Sequence, residues 1–198
     1  DLFTDELRET LAQFEEAKNF GSLIVPKLRD PAETLKIVEA RDFSGDLLMK
    51  EVHDRMLAVL RMAEALSPKY HVVVANPPYM GSSGMNPLMK TWAAENYNEG
   101  KNDLFAMFIY RTGKLLRAHG LSGMVTMQAW MFLSTYEKFR TTLFERMSLR
   151  HMAHLGERGF DSIGGAVVST TAFVLENARD ADAPGHFIRA VRGQSEKE

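Results

Sequence analysis

Leu7, Leu11, Phe14 and Ala17 recur at helical spacing after Thr4, and Gly21 stops the run, so the pattern predicts an opening helix. Ser22 to Val25 is a short apolar run before Pro26 and reads as a candidate strand. Asp30-Pro31-Ala32-Glu33 combines an N-cap, a proline at the first helical position and a returning glutamate, so a short helix to about Ala40 follows. Leu47, Leu48, Val52, Met56, Val59, Leu60 and Ala63 form one stripe of a long helix that ends at Ser67-Pro68. His53 sits beside that stripe as a packing or surface residue. Tyr70 to Ala75 is then a β-branched apolar run of the kind that makes a buried parallel strand, and Asn76-Pro77-Pro78-Tyr79 ends it. Two prolines cannot continue a ladder, so the chain leaves the sheet there.

Downstream the alternation continues. Pro87 opens a helix to about Asn96, and Asp103 caps another that carries Leu104, Phe105, Phe108, Leu115 and Leu116 to a stop at Gly120. Met124 to Met127 lies in a second parallel strand, with Gln128, Trp130 and Phe132 near its carboxyl end, on the same rim as Asn76. A helix over Thr135 to Met147 precedes strands at Arg150 to Leu155 and Val167 to Leu175. The link between those two strands is too short for a crossover helix, so they should pair as an antiparallel hairpin. His186 to Val191 reads as an edge strand. Helix alternating with strand predicts an α/β fold: a mixed sheet of mostly parallel strands with a terminal antiparallel strand, and helices on both faces.

Composition narrows the class. With 198 residues, 45% hydrophobic and 25% charged, the chain can bury a core of its own. It has no run of eighteen apolar residues and no signal-peptide pattern, so membrane insertion is not expected and a cytoplasmic location is. It lacks cysteine, and its six histidines include no H-E-x-x-H, so neither disulfides nor a metal site are expected. The net charge is only -2, but residues 1–46 hold six Lys/Arg against eleven Asp/Glu, whereas 101–158 hold nine against four. The basic part follows the proline turn. The chain opens on Asp1 rather than methionine, so it reads as a piece of a larger protein.

The chemistry concentrates at the turn. In open α/β sheets ligands sit outside the carboxyl ends of strands, which puts Asn76 to Tyr79 at the expected site. The Asn76 side-chain oxygen and the Pro77 carbonyl are acceptors, and the fixed φ of Pro77 and Pro78 lets both point one way. Two acceptors converging on an exocyclic amino group would draw off its hydrogens and leave the nitrogen lone pair aimed at an electrophile. Tyr79 adds a face on which a planar base, drawn out of its duplex stack, can lie.

Asn-Pro-Pro-Tyr after a hydrophobic strand resembles motif IV of the S-adenosylmethionine-dependent amino-methyltransferases. NPPYMGSSGMN, NDLFAMFIYRTGKLLRAHG, GMVTMQAWMFLSTYEKFRTTLFE and MAHLGERGFDSIGGAVVSTTAFVLEN together are similar to motifs IV to VIII of the γ-class adenine DNA methyltransferases. More narrowly they resemble the PglX family, the large adenine-specific enzymes of BREX phage-defence systems. The resemblance runs from about Gly21 to about Val191. It implies a partial Rossmann-like class I methyltransferase fold, with residues 1–68 a helical lead-in, 69–192 the carboxyl-terminal half of a catalytic domain and 193–198 a polar tail. It implies S-adenosylmethionine as the parent enzyme's cofactor and double-stranded DNA as its partner, with other defence-system proteins as further candidates.

Under that resemblance Asn76 and Pro77 hold the target amino group, Pro78 shapes the backbone, Tyr79 stacks on the flipped base, and Phe160 packs on the base from its other side. Asp103 and Glu157 read as cap and loop charges. No general base is implied, because the oriented lone pair attacks in line. The chain departs from the family pattern in two places. The glycine-containing cofactor turn expected ahead of motif IV is absent between Asp1 and Lys69, so cofactor-binding residues are unassigned apart from the adjacency of Asn76, and no target-recognition domain follows motif VIII. The expected function is therefore that of a fragment of an N6-adenine methyltransferase of phage defence or restriction-modification, inactive alone. The alternatives are an NPPY enzyme acting on a protein glutamine or an RNA base, and a non-catalytic docking segment. A dinucleotide oxidoreductase is poorly supported without a glycine fingerprint. The strand at Tyr70 to Ala75 should expose an edge open to self-association.

Overall fold

The computed structural model describes residues 4–41, 47–67, 70–156, 169–180 and 184–191. The chain divides into two compact units, Asp1–Pro68 and Lys69–Glu198.

The first unit is helical. Helix α1 (Asp5–Glu15) starts where the Thr4 hydroxyl accepts from Leu7 N, α2 (Ala17–Phe20) runs into a short 3-10 turn at Gly21–Leu23, and α3 (Pro31–Glu39) is capped by Asp30 accepting from Glu33 N. The segment anticipated as a strand at Ser22 to Val25 is thus a 3-10 turn and coil. Side chains of α1 hold the chain here and just beyond: Leu28 N donates to the Thr10 hydroxyl, Lys27 N to Gln13 Oε1, and Gln13 Nε2 to the Val25 carbonyl. Leu7, Leu28, Leu35, Val38 and Leu60 form this unit's core, and a His53 ring nitrogen lies 2.9 Å from the Val38 carbonyl. Helix α4 (Leu47–Leu66) is 20 residues, about 30 Å long at 1.5 Å per residue, whereas α3 has nine. Leu60 and Ala63 are buried, whereas Leu47, Leu48 and Val52 at the other end of the same stripe are exposed.

The second unit is a five-stranded mixed sheet. Strands β1 (Tyr70–Ala75), β2 (Leu116–Met127), β3 (Ser148–Gly156), β4 (Thr170–Glu176) and β5 (His186–Arg189) lie in the order β1-β2-β4-β3-β5. β1 pairs parallel with β2 and β3 parallel with β5, while β4 runs antiparallel to both its neighbours. The hairpin expected between the third and fourth strands is present. Its antiparallel strand lies inside the sheet, between β2 and β3, with β5 forming the edge beyond. β1 forms the opposite edge.

Helices α5 (Pro87–Asn96), α6 (Leu104–Leu115), α7 (Ala129–Phe132) and α8 (Glu137–Phe144) fall between the strands. Phe105 and Ile109 of α6, Trp130 of α7 and Phe139 and Leu143 of α8 pack with Met124, Phe173 and Leu175 on one sheet face. The other face presents Val72, Val74, Leu121 and Ile188, all exposed, so within this unit helices are described on one face. β2 begins eight residues earlier than the apolar pattern suggests. Its first turn is reshaped by His119 at φ 60 and by Gly120, whose carbonyl accepts from Asn177 N.

Candidate functional site

Because β1, β2 and β3 run the same way, their carboxyl ends and the amino end of β4 share one rim. Asn76 emerges from β1 on that rim with its side chain exposed, Pro77 is buried beneath, and Tyr79 is half-buried. The two prolines turn the chain back so that the Tyr79 hydroxyl lies 3.3 Å from Asn76 Oδ1 and 3.4 Å from the Val125 carbonyl of β2. The phenol donates one hydrogen to that pair of acceptors. An amide oxygen has two lone pairs, so Asn76 Oδ1 keeps one for an incoming N–H. The Tyr79 ring meets Phe105 edge-on at 6.5 Å, and burial raises the pKa of its phenol, so the hydroxyl remains a donor at neutral pH.

The turn is tied down by Asp103. One carboxylate oxygen accepts from Met80 N at 3.1 Å and from Phe105 N at 3.2 Å, so the residue that caps α6 also holds the turn. Leu104 N to Met80 O (3.1 Å) and Ser82 N to Asn102 O (2.9 Å) complete the clasp. Burial raises the pKa of Asp103, opposed by its backbone hydrogen bonds. Burial, and secondarily the Asp103 charge, pushes the Tyr136 phenol up to about 12. The sequence marked Asp103 as a cap. Its second partner lies 23 residues away and left no local signal.

Further along the rim Gln128 Oε1 bonds His154 Nε2, and the His154 ring lies 5.5 Å from the Phe132 ring. Burial, then the Arg189 charge, lowers the pKa of His154. Of the aromatics anticipated near this rim, Trp130 is core at 1% exposure, its indole N–H bonding Thr126, whereas Phe132 is 60% exposed. His154 was not anticipated, since a histidine alternating within an apolar strand carries no distinguishing pattern. Phe160 and Glu157 lie outside the described residues. Among the described residues no helix is long and apolar enough to cross a membrane.

The arrangement can present one oriented acceptor and one aromatic ring to a flat, amino-bearing group. A methyl donor with a ribose and an amino-acid tail asks for more, a glycine turn and a carboxylate at the rim. Between Asp1 and Lys69 the sequence has no such turn.

The Eco57I restriction-modification methylase family model matches residues 5–160. The chain is 40% identical over 193 residues to the adenine-specific methyltransferase BrxX of Escherichia coli O9:H4 (strain HS), covering 96% of this chain and 16% of that protein. It is 37% identical over 202 residues to the adenine-specific methyltransferase PglX of Lacticaseibacillus casei (strain Zhang), with the same coverages. The chain therefore spans about a sixth of the length of these relatives. Among solved structures, the Type IIL restriction-modification enzyme MmeI in complex with DNA aligns over 88% of this chain and 35% of its own, at 12% identity and a TM-score of 0.47, a likeness of shape too slight to carry function.

Proposed function

This chain belongs to the Eco57I restriction-modification methylase family, and we propose that it forms the target-base half of an adenine-specific DNA methyltransferase of phage defence or restriction-modification. The observation that carries this reading is the Asn-Pro-Pro-Tyr turn at the carboxyl end of β1, with Asn76 exposed and its amide oxygen oriented by the Tyr79 hydroxyl. The full-length relatives named as adenine-specific methyltransferases support the choice of adenine.

In the proposed reaction, Asn76 Oδ1 and the Pro77 carbonyl would accept the two hydrogens of the adenine amino group and leave the N6 lone pair free to attack a methyl donor. The methyl group would come from a donor held by the parent enzyme, and the surplus amino proton would pass to solvent. Tyr79 holds the extruded base by its face, with Phe160 the proposed partner on the other side. S-adenosylmethionine is the proposed donor in the parent enzyme, held largely by parts of that protein outside this chain. Double-stranded DNA is the proposed partner.

The test has two parts. Titration calorimetry of the 198-residue chain with S-adenosylmethionine is expected to give no heat, and the chain alone is expected to transfer no methyl group. In the parent enzyme Asn76→Ala is expected to lower methyl transfer to adenine roughly a hundredfold or more, the scale of removing one preorganised polar contact from a transition state. Micromolar cofactor binding by the isolated chain would contradict the divided-pocket reading. Undiminished transfer by the Asn76→Ala parent would remove Asn76 from the chemistry.

A further inference from the structure

Phe132 is a large apolar side chain placed where water reaches it. It is 60% exposed, and Leu133 beside it is 52% exposed. Its position is fixed all the same. The His154 imidazole backs the ring at 5.5 Å, and that imidazole is bonded in turn by Gln128 at the end of β2. The carboxyl end of α7 is closed by Arg140, one guanidinium nitrogen of which donates to both the Trp130 and Leu133 carbonyls at 2.8 Å. An exposed aromatic already held in one place loses little conformational freedom on contact, and its face accepts any flat π system.

Place then decides the partner. His154 stands on the fourth strand across if β1 is counted first, so it lies about 14 Å from the Asn76 end of the rim, at the usual strand spacing of about 4.8 Å. The Phe132 ring lies 5.5 Å from His154, so on a DNA strand rising about 3.4 Å per nucleotide it stands roughly two to six steps from the target base. Arg189, opposite His154 in the β3–β5 register, adds a cation of the sign that a phosphate backbone needs.

We propose that Phe132, backed by His154 and Gln128, is a second stacking platform on the rim, taking an unstacked nucleobase a few steps along the DNA strand from the target adenine. This rests on the adenine reading above. Stacking a base a few steps along on a fixed ring holds the opened strand while the target lies in the Asn76–Tyr79 clamp. Phe132 is a positioning residue in this scheme. It touches DNA and leaves the reacting atoms alone.

The experiment uses the full-length parent enzyme and a set of duplexes, each with a single abasic site at one of the positions flanking the target adenine. kcat, KM and the N6-methyladenine product are measured for the wild type, Phe132→Ala and Phe132→Trp. At one flanking position the wild type is expected to lose about tenfold in kcat/KM when the base is removed, the scale of one base–aromatic stack. Phe132→Ala is expected to show that same loss on the intact duplex, mostly in KM, and no further loss on that abasic duplex, while Phe132→Trp restores the wild-type value. Because the ring is mostly exposed, melting temperatures of the variants should match the wild type. Equal activity of Phe132→Ala and wild type on intact DNA, or losses that multiply at every abasic position, would overturn the platform while leaving the adenine reading standing. Absence of N6-methyladenine from the wild-type reaction would take down both.

Discussion

Replacing Asp103 tests whether one carboxylate holds the Asn-Pro-Pro-Tyr turn in place. Asp103→Ala strips the acceptor from two backbone amides at once, Met80 N and Phe105 N. Loss of the helix cap alone costs about 1 kcal/mol, and the partly buried Met80 N–H left without a partner costs about 1–3 kcal/mol more. Against this stands the relief of a buried charge, since burial raises the Asp103 pKa. The net expectation is a loss of about 2 kcal/mol at pH 7. Asp103→Asn keeps an amide oxygen for both donors and has no charge to desolvate, so its loss should stay below about 1 kcal/mol.

The two variants also separate by pH. A folded-state pKa raised above 3.8 means that the native state binds more protons than the unfolded one just above pH 3.8, so wild-type stability falls as pH rises through that window. Asp103→Asn should flatten that slope. Urea melts of the chain across pH 3.5 to 7 read both quantities, and the parent enzyme's methyl transfer reads the turn directly. If Asp103→Asn is as damaging as Asp103→Ala, charge holds the turn and the hydrogen-bond account is wrong.

Two further substitutions probe the opposite end of the sheet. Glu176 accepts from His119 Nδ1 at 2.8 Å and from Arg150 Nε at 2.5 Å, and these bonds, His119 first, lower its pKa. The stability it contributes is present above its ordinary pKa of 4.5 and lost as pH falls below it. Glu176→Gln should remove that acid-side slope and cost about 1–3 kcal/mol at pH 7, the scale of hydrogen bonds to a largely buried charged group; an unchanged slope in denaturant melts between pH 2 and 5 would sink the assignment. Gly120→Ala should destabilise by about 1–3 kcal/mol, because the added methyl would lie 3.0 Å from the Arg117 and Tyr70 carbonyls and 3.1 Å from that of His71. A melting temperature unmoved by that substitution would mean that the β1–β2 irregularity yields.

What could be read in the amino acids follows the range of the interactions. The caps at Thr4, Asp30 and Asp103, the proline that opens α5 and the β-branched run of β1 are local signals, and each element stands where its signal puts it. The β3–β4 hairpin was legible because a short link allows nothing else. β2 was read too short, since Leu115 and Leu116 continue the helical period of α6. Pairing with β1 from Tyr70 onward decides that the chain is already extended at Leu116. Similarly, the apolar stripe of α4 reveals a helix, while which part of it is buried depends on where α1 and α3 pack against it. At the site, the Asn-Pro-Pro-Tyr turn announces itself. The Asp103 clasp and the Gln128–His154–Phe132 group are assembled by strand register from distant residues, which periodicity does not encode.

The placement of β4 also sets an order of events for the growing chain. β2 and β3 lie on either side of β4 and reach each other only through it, yet β4 follows both in sequence. Until residue 176 has emerged, β2 has one partner and β3 none among the strands made so far, and the backbone amides on their facing edges have only water. Closing the sheet thus waits on contacts that span some fifty residues, a non-local step of the kind that slows folding. Phe173 and Leu175, which enter the core from that strand, act as the keystone: a translating ribosome that stalls before them leaves the β1–β2 pair and a lone β3 with open edges rather than a smaller version of the same domain.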